Sequence, residues 1–125
     1  METLEVGTGL VSLCTQGRFE DAIDQYYSEN IVSIEGMTYP GMEKRMEGLQ
    51  AIKGKTQWWI ENHEVHSMEA EGPFVSEDSN QFLVRFSMDV TNKQSGERVQ
   101  GQEVGVYTVE NGKVTREEFY FLGGK

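Results

Sequence analysis

Residues 103–121 carry the clearest structural signal in the chain and read EVGVYTVENGKVTREEFYF. Apolar and polar residues alternate on both sides of Asn111-Gly112, a dipeptide typical of two-residue hairpin turns. The pattern therefore predicts two antiparallel strands, and alternate side chains of a strand share a face. One shared face holds two glutamates among aromatic residues, which is unusual for a purely apolar core. Its members are Glu103, Gly105, Tyr107 and Val109 on the first strand and Glu117, Phe119 and Phe121 on the second.

The same period of two extends back to about residue 64, whereas the residues before it repeat at helical spacing. The predicted helices cover 3–16, 18–29 and 48–60, and the predicted strands cover 31–35, 64–71, 81–91, 97–110 and 113–122. A loop is expected over 36–47, which contains two glycines and Pro40. Helices followed by a run of antiparallel strands are typical of an α+β fold.

Length and composition limit the classes of protein that need to be considered. A chain of 125 residues is expected to form one domain, 1–125. The single cysteine and the acidic N-terminus, which lacks the features of a signal peptide, favour a cytoplasmic location. The net charge of −10 would repel nucleic acid. No apolar stretch is long enough to span a bilayer. We therefore expect neither a nucleic-acid partner nor a membrane partner.

Five segments resemble SnoaL-like domain proteins of the nuclear-transport-factor-2-like superfamily. They are GRFEDAI at 17–23, GLQAIKGK at 48–55, WWIENHEVH at 58–66, YTVENGKV at 107–114 and REEF at 116–119. The resemblance implies a cone, in which a curved antiparallel or mixed sheet wraps around three helices and encloses an internal pocket. The superfamily includes polyketide cyclases, ketosteroid isomerases, dehydratases and binding modules, so the resemblance indicates fold more than function.

Three glutamates are the main candidates for catalysis. Glu35 follows the apolar strand 31–34, at the position that corresponds to the base of ketosteroid isomerase. Aromatic neighbours would disfavour its charged form, so we expect a raised pKa and a role as base. Glu103 and Glu117 would join it, and carboxylates gathered in one cavity cannot all stay ionised. Alternatively, these glutamates end or border strands and point to water.

Histidines and aromatic residues complete the predicted site. His66 is in phase with Met68 and Ala70, so it could serve as a partner acid in the pocket or as a structural residue. His63 and His66 point to opposite faces of a strand and cannot share an ion. We therefore expect no metal and no cofactor. The expected ligand-binding residues are Tyr27, Trp58, Tyr107, Phe119 and Phe121.

The favoured hypothesis is a pocket for a small, largely apolar molecule, with cofactor-free acid–base chemistry of the isomerase, cyclase or dehydratase type. The alternatives are a ligand-binding or dimerisation module without turnover, and a pocket filled by the protein's own side chains. We also expect a homodimer, because an apolar sheet face opposite the pocket would otherwise be exposed. The residues assigned to that face are Leu83, Val99, Val104 and Val106.

We predict that the protein does not isomerise β,γ-unsaturated ketosteroids at rates typical of ketosteroid isomerase. By the resemblance, Leu10 and Gly105 occupy the positions of the two oxyanion donors of that enzyme. Loss of one such donor typically costs about 100-fold to 1,000-fold in rate. A standard spectrophotometric assay with 5-androstene-3,17-dione checks the prediction, and turnover near the rates of that enzyme would contradict it.

Overall fold

A single sheet of six strands has its three helices on one face. This is a computed structural model, and it describes residues 2–37, 43–76 and 78–121. The elements in chain order are α1 (Thr3–Thr15), α2 (Phe19–Tyr26), β1 (Tyr27–Ile34), β2 (Arg45–Glu47), α3 (Leu49–Asn62), β3 (His63–Val75), β4 (Gln81–Asn92), β5 (Arg98–Glu110) and β6 (Lys113–Phe121). The strand order is β2-β1-β6-β5-β4-β3. We call the face covered by the helices the concave face and the opposite face the convex face.

The predicted α+β architecture is confirmed, with two differences near the N-terminal third. The second helix ends at Tyr26 rather than near residue 29, and Tyr27 begins β1. β1 pairs with β6, and this is the only parallel pair in the described sheet. The pairing outweighs the helical pattern of the residues after Tyr26. The expected loop 36–47 contains a short strand, β2, which pairs with β1. Residues 38–42 of that loop lie outside the described residues.

The hairpin between β5 and β6 turns at the predicted dipeptide. Asn111 and Gly112 have φ angles of 52° and 78°, the left-handed values that a two-residue hairpin turn requires. The register opposes Tyr107 to Glu117, Gly105 to Phe119 and Glu103 to Phe121. Residues directly opposite one another share a face. The predicted common face of glutamates and aromatic residues is therefore present, and it is the concave face.

The apolar core lies where α1 and α2 cross the sheet. Its fully enclosed side chains are Val6, Leu10, Ile31, Ile52, Phe82, Val84 and Val114. Towards the other end of the sheet the concave face opens, and Met68 and Met88 are only partly buried. Val99 lies on the concave face, because it opposes Val90, which is in phase with the buried Phe86. Its predicted place on the convex face is therefore wrong, since its phase matches that of Glu103.

The helices of the described residues are short and amphipathic. None of them, over 2–37, 43–76 and 78–121, has the length and apolar character needed to cross a membrane.

Candidate functional site

Glu117 is a buried carboxylate that the sheet surrounds with hydrogen-bond donors. It lies on the concave face of β6 and is 2% exposed. It accepts hydrogen bonds from the Tyr27 hydroxyl and from Ser33 Oγ, the latter at 2.6 Å. Ser33 reaches it because β1 runs parallel to β6 with Ser33 beside Glu117. Burial of a charge is costly unless it is paired and hydrogen-bonded, so these donors hold Glu117 in one position.

Lys55 supplies the positive charge of the site. It follows Ile52 by three residues on α3, which places both on the buried side of the helix. Its Nζ donates to Ser33 Oγ at 2.8 Å and to Glu35 Oε1 at 2.7 Å, and lies 3.6 Å from Glu117 Oε2. Burial would lower the pKa of Lys55, but the negative charges of Glu117 and Glu35 outweigh it, so the net shift is upward. Lys55 therefore stays a cation.

Glu35 has an ionic partner, which its position in the sequence does not indicate. Its carboxylate pairs with Lys55, and the side chains of both are largely buried, at 15% and 10% exposed. Sequence reasoning missed Lys55, although its spacing from Ile52 on a predicted helix was a usable signal. We call Glu35, Lys55, Glu103 and Glu117 the charged cluster.

Glu103 is the member of the charged cluster whose acidity is altered most clearly. Burial, followed by the negative charge of Glu35, raises its pKa to about 7, although Lys55 acts in the opposite direction. Among the described residues it has no side-chain hydrogen-bond donor. At neutral pH the carboxyl is therefore divided between its protonated and ionised forms, as a proton-transfer group requires.

Two tyrosines and a phenylalanine line the same region. Burial and then the charge of Glu117 raise the pKa of both Tyr27 and Tyr107 well above the ordinary tyrosine value. Both hydroxyls therefore keep their protons. The Tyr107 ring meets the Phe119 ring edge-on, with 6.2 Å between the ring centres. Lys55 Nζ lies 5.5 Å from the centre of the Phe119 ring. These predicted ligand-binding residues thus border the charged cluster.

His66 does not face the concave side, contrary to expectation. The register of β3 against β4 shifts between Val65 and Ser67, which leaves His66 as the extra residue of a β-bulge. Its Nε2 lies 2.7 Å from Oγ1 of Thr91, a convex-face residue. The bulge interrupts the alternation of side chains that would place His66 on the same face as Met68. The structure therefore does not bring His66 together with Glu103.

The remaining predicted ligand-binding residues lie at the margins. Trp58 is 38% exposed, and its ring meets the His63 imidazole edge-on with 6.1 Å between the ring centres. Trp59 stacks on the same imidazole with 4.6 Å between the ring centres. Phe121 is partly buried and opposes Glu103. A role of Trp58 or Phe121 in ligand binding stays a prediction.

Two depressions in the surface are lined mainly by convex-face residues. One has a volume of about 590 Å³ and lies over β1, β6 and the β5–β6 turn. The other, of about 220 Å³, is lined by Arg85, Gln102, Val104 and Tyr120 and also touches Glu103 and Phe121. The internal pocket that the resemblance implies stays a prediction.

We predict that Glu117→Gln destabilises the protein by about 3–5 kcal/mol, because it leaves the buried donors Tyr27 and Ser33 without a charged acceptor and removes one of the two carboxylates that neutralise Lys55. Urea unfolding at neutral pH measures the difference. The control is Glu118→Gln: that side chain is more exposed and pairs with Arg116, so the expected loss is under about 1 kcal/mol. Equal losses for the two variants would contradict a supporting role of Glu117.

Comparisons with known proteins agree with this geometry. Residues 1–121 match the family model of the SnoaL-like domain. No curated protein sequence matches the chain significantly.

Solved structures give the same fold. A Mesorhizobium loti protein, provisionally named both a SnoaL-like polyketide cyclase and a carbohydrate phosphatase, is 44% identical, with 96% of this chain and 99% of that chain covered and a TM-score of 0.89. A provisionally named isomerase from Bacillus subtilis is 20% identical over 98% of this chain and 90% of that chain, with a TM-score of 0.78. TerC, co-crystallised with polyporic acid, is 17% identical over 96% of this chain and 91% of that chain, with a TM-score of 0.71. From the family model, which spans almost the whole chain, it follows that this protein belongs to the SnoaL-like domain family.

Proposed function

We propose that this SnoaL-like protein catalyses cofactor-free proton transfer on a small, largely apolar molecule that bears a carbonyl or hydroxyl group. The reaction would be an isomerisation, cyclisation or dehydration. One observation carries the proposal: Glu103 is a desolvated carboxyl on the concave face with a pKa of about 7. A group whose pKa lies near the operating pH is suited both to take up a proton and to return it.

Glu103 suits this role better than the other two carboxylates. Glu117 is occupied by Tyr27, Ser33 and Lys55, and Glu35 is paired with Lys55. Proton uptake by either would disrupt an ion pair and its hydrogen bonds. Glu103 can change its protonation state without breaking a contact with any described side chain. Glu35, Glu117 and Lys55 then act by setting the electrostatic potential at Glu103.

The identity of the relatives supports the same class of chemistry. The 44% identical protein is provisionally named, in part, a polyketide cyclase, and a more distant one an isomerase. Cyclisations of polyketides and many isomerisations proceed by proton transfer next to a carbonyl group. TerC, which has the same fold, was co-crystallised with polyporic acid, and this supports a site for a small organic molecule.

We predict that Glu103→Gln abolishes proton abstraction by the protein. The probe is 5-nitrobenzisoxazole, whose ring opens when a base removes its carbon-bound proton. The wild-type rate should rise with pH through about 7, as Glu103 ionises. It should fall at least about 100-fold in the variant, because general-base catalysis contributes at least that much.

The control for this prediction is Glu69→Gln, which removes an exposed carboxylate on β3, opposite the convex-face residue Ser87. It should keep the wild-type rate. If Glu103→Gln keeps that rate as well, Glu103 is not the base, and a binding module without turnover becomes the better account.

The pH dependence of stability gives a second readout that needs no substrate. Because the pKa of Glu103 is raised from 4.5 to about 7 on folding, the folded state holds its proton more tightly than the unfolded state. Its ionisation therefore lowers stability as the pH rises between these values, by on the order of 3 kcal/mol in total. Glu103→Gln has no carboxyl to ionise and lacks this loss. The free energy of unfolding of the variant should therefore increase relative to that of the wild type between pH 4.5 and about pH 7, and the difference should stay constant at higher pH.

We further propose that the protein forms a homodimer through the convex face. Phe74 opposes Leu83 across β3 and β4, and Leu83 opposes Val106 on β5. Phe74 and Leu83 are 52% and 38% exposed, and Tyr120, opposite Val104, is 56% exposed. These side chains form a continuous apolar strip across four strands. A second copy related by a two-fold axis would cover it.

We predict that Leu83→Asp converts this dimer to a monomer, because it places a charge in the centre of the apolar strip. Sedimentation equilibrium at tens of micromolar protein measures the mass. Leu4→Asp is the control, since Leu4 is 54% exposed on α1, outside the strip. A wild-type protein that is monomeric at these concentrations would contradict the proposal.

The cellular setting that we propose is the cytoplasm, without a nucleic-acid partner. The single cysteine, Cys14, is buried in the core and suits a reducing compartment. The charge of −10 disfavours contact with phosphate backbones.

A further inference from the structure

Gly101 is a glycine in the interior of a strand that the fold itself does not explain. It lies on the concave face of β5, opposite Met88 and two residues before Glu103. Gly101 does not have the positive, left-handed φ angle that several other glycines of the described chain have. Any residue could therefore adopt its backbone conformation. Glycine inside a strand is unfavourable, because it has no side chain to pack and loses more conformational freedom on folding than other residues.

Close packing accounts for other glycines but not for this one. A Cβ atom at Gly105 would lie 2.7 Å from the Tyr107 ring, and one at Gly7 would lie 2.8 Å from Pro73. A Cβ atom at Gly101 would have only Val99 Cγ1, at 4.0 Å, within contact range among the described residues. The position that a Cβ atom would take on the concave side of Gly101 is therefore not crowded by any described atom. A strand glycine of this kind often marks a place where a ligand approaches the backbone closely.

The neighbours of Gly101 are suited to an apolar, flat ligand. Met68 opposes Met88, and Met88 opposes Gly101, so the three residues form one row across β3, β4 and β5. Both methionines are partly buried. Methionine side chains adapt to irregular shapes and make favourable contacts with aromatic rings. The row thus has two flexible sulfur-containing side chains beside a gap with no side chain.

The adjacent row brings the proton-transfer group to the edge of this gap. Phe86 opposes Glu103, and Glu103 opposes Phe121. Residues two apart on one face of a strand are separated by about 6.5–7 Å. A ring that lies on Gly101 would therefore extend to the carboxyl of Glu103.

We propose that Gly101 is a specificity-determining residue, and that the planar ring of an aromatic or conjugated substrate rests on its backbone beside Met68 and Met88. This inference rests on the proposed function, because it assigns the substrate of the same site. The bare backbone at Gly101 leaves free the space on the concave face of β5 that a side chain would take. Any side chain there would fill the position of the ring.

Binding of 2-naphthol, a planar molecule with one hydroxyl group, tests the inference. We compare the wild type with Gly101→Val by titration calorimetry, and we measure the melting temperature of both proteins. Valine is favourable in strands, and its Cβ atom at this position would meet no described atom closer than 4.0 Å, so the melting temperature should stay equal or rise. The affinity for 2-naphthol should fall about tenfold or more, because the valine side chain occupies the space of the ring.

Gly54→Val is the matched control. Gly54 is an exposed glycine within α3 whose Cβ position has no described atom within 4 Å, so the same substitution also enters open space there. Its affinity for 2-naphthol should equal that of the wild type.

Three results would overturn the inference: absence of 2-naphthol binding by the wild type, unchanged binding by Gly101→Val, or a clear loss of thermal stability in that variant. The last result would show that the glycine serves folding. Failure of the proposed function is detected separately, by 5-nitrobenzisoxazole turnover in Glu103→Gln, which involves a different probe and a different residue.

Discussion

The ion pair network around Lys55 is the constraint on which the rest of the site depends. Three glutamates on the inside of one small domain would repel one another and lose hydration without a cation. Lys55 offsets this by contacting Glu35 and Glu117 directly, and Ser33 connects the ammonium to Glu117. The cation does not contact Glu103 in this way. Two carboxylates therefore have a cation in direct contact and the third does not, so burial raises the pKa of Glu103 without a direct ion pair to oppose it.

The sheet makes this unequal distribution possible. Glu117 lies where β1 runs beside β6, so a neighbouring strand can bring Ser33 and Tyr27 to its carboxylate. Glu103 lies further along the hairpin, opposite Phe121 and Phe86, where neighbouring strands offer aromatic rings instead of donors. Two glutamates on the same face of one hairpin thus have different environments because different strands flank them. One is suited to hold structure and the other to exchange a proton.

Most of the fold could be predicted from the sequence, since hydrophobic periodicity and turn residues are local signals. Asn111-Gly112 and the alternation around it identified the hairpin and its concave face. The end of α2 could not be predicted, because Tyr27 joins β1 through pairing with a strand distant in the chain. His66 was misplaced because a β-bulge inverts the phase of a strand without leaving a clear mark in the pattern. Lys55 was overlooked as a member of the site because a charged residue near a helical stripe is usually exposed, and only its buried partners show otherwise.

The parallel pairing of β1 with β6 also has a consequence for how the protein folds. The Tyr27–Glu117 contact joins residues 90 positions apart, and the Ser33–Glu117 contact joins residues 84 positions apart. Contacts this distant carry a large loop-closure cost and slow the folding of small domains. During synthesis β1 and α3 emerge long before β6, so Lys55 can meet Glu35 well before Glu117 is available. Until β6 is added, the inner edge of β1 has no parallel neighbour, and the nascent chain exposes an unpaired strand that chaperones or other strands can bind.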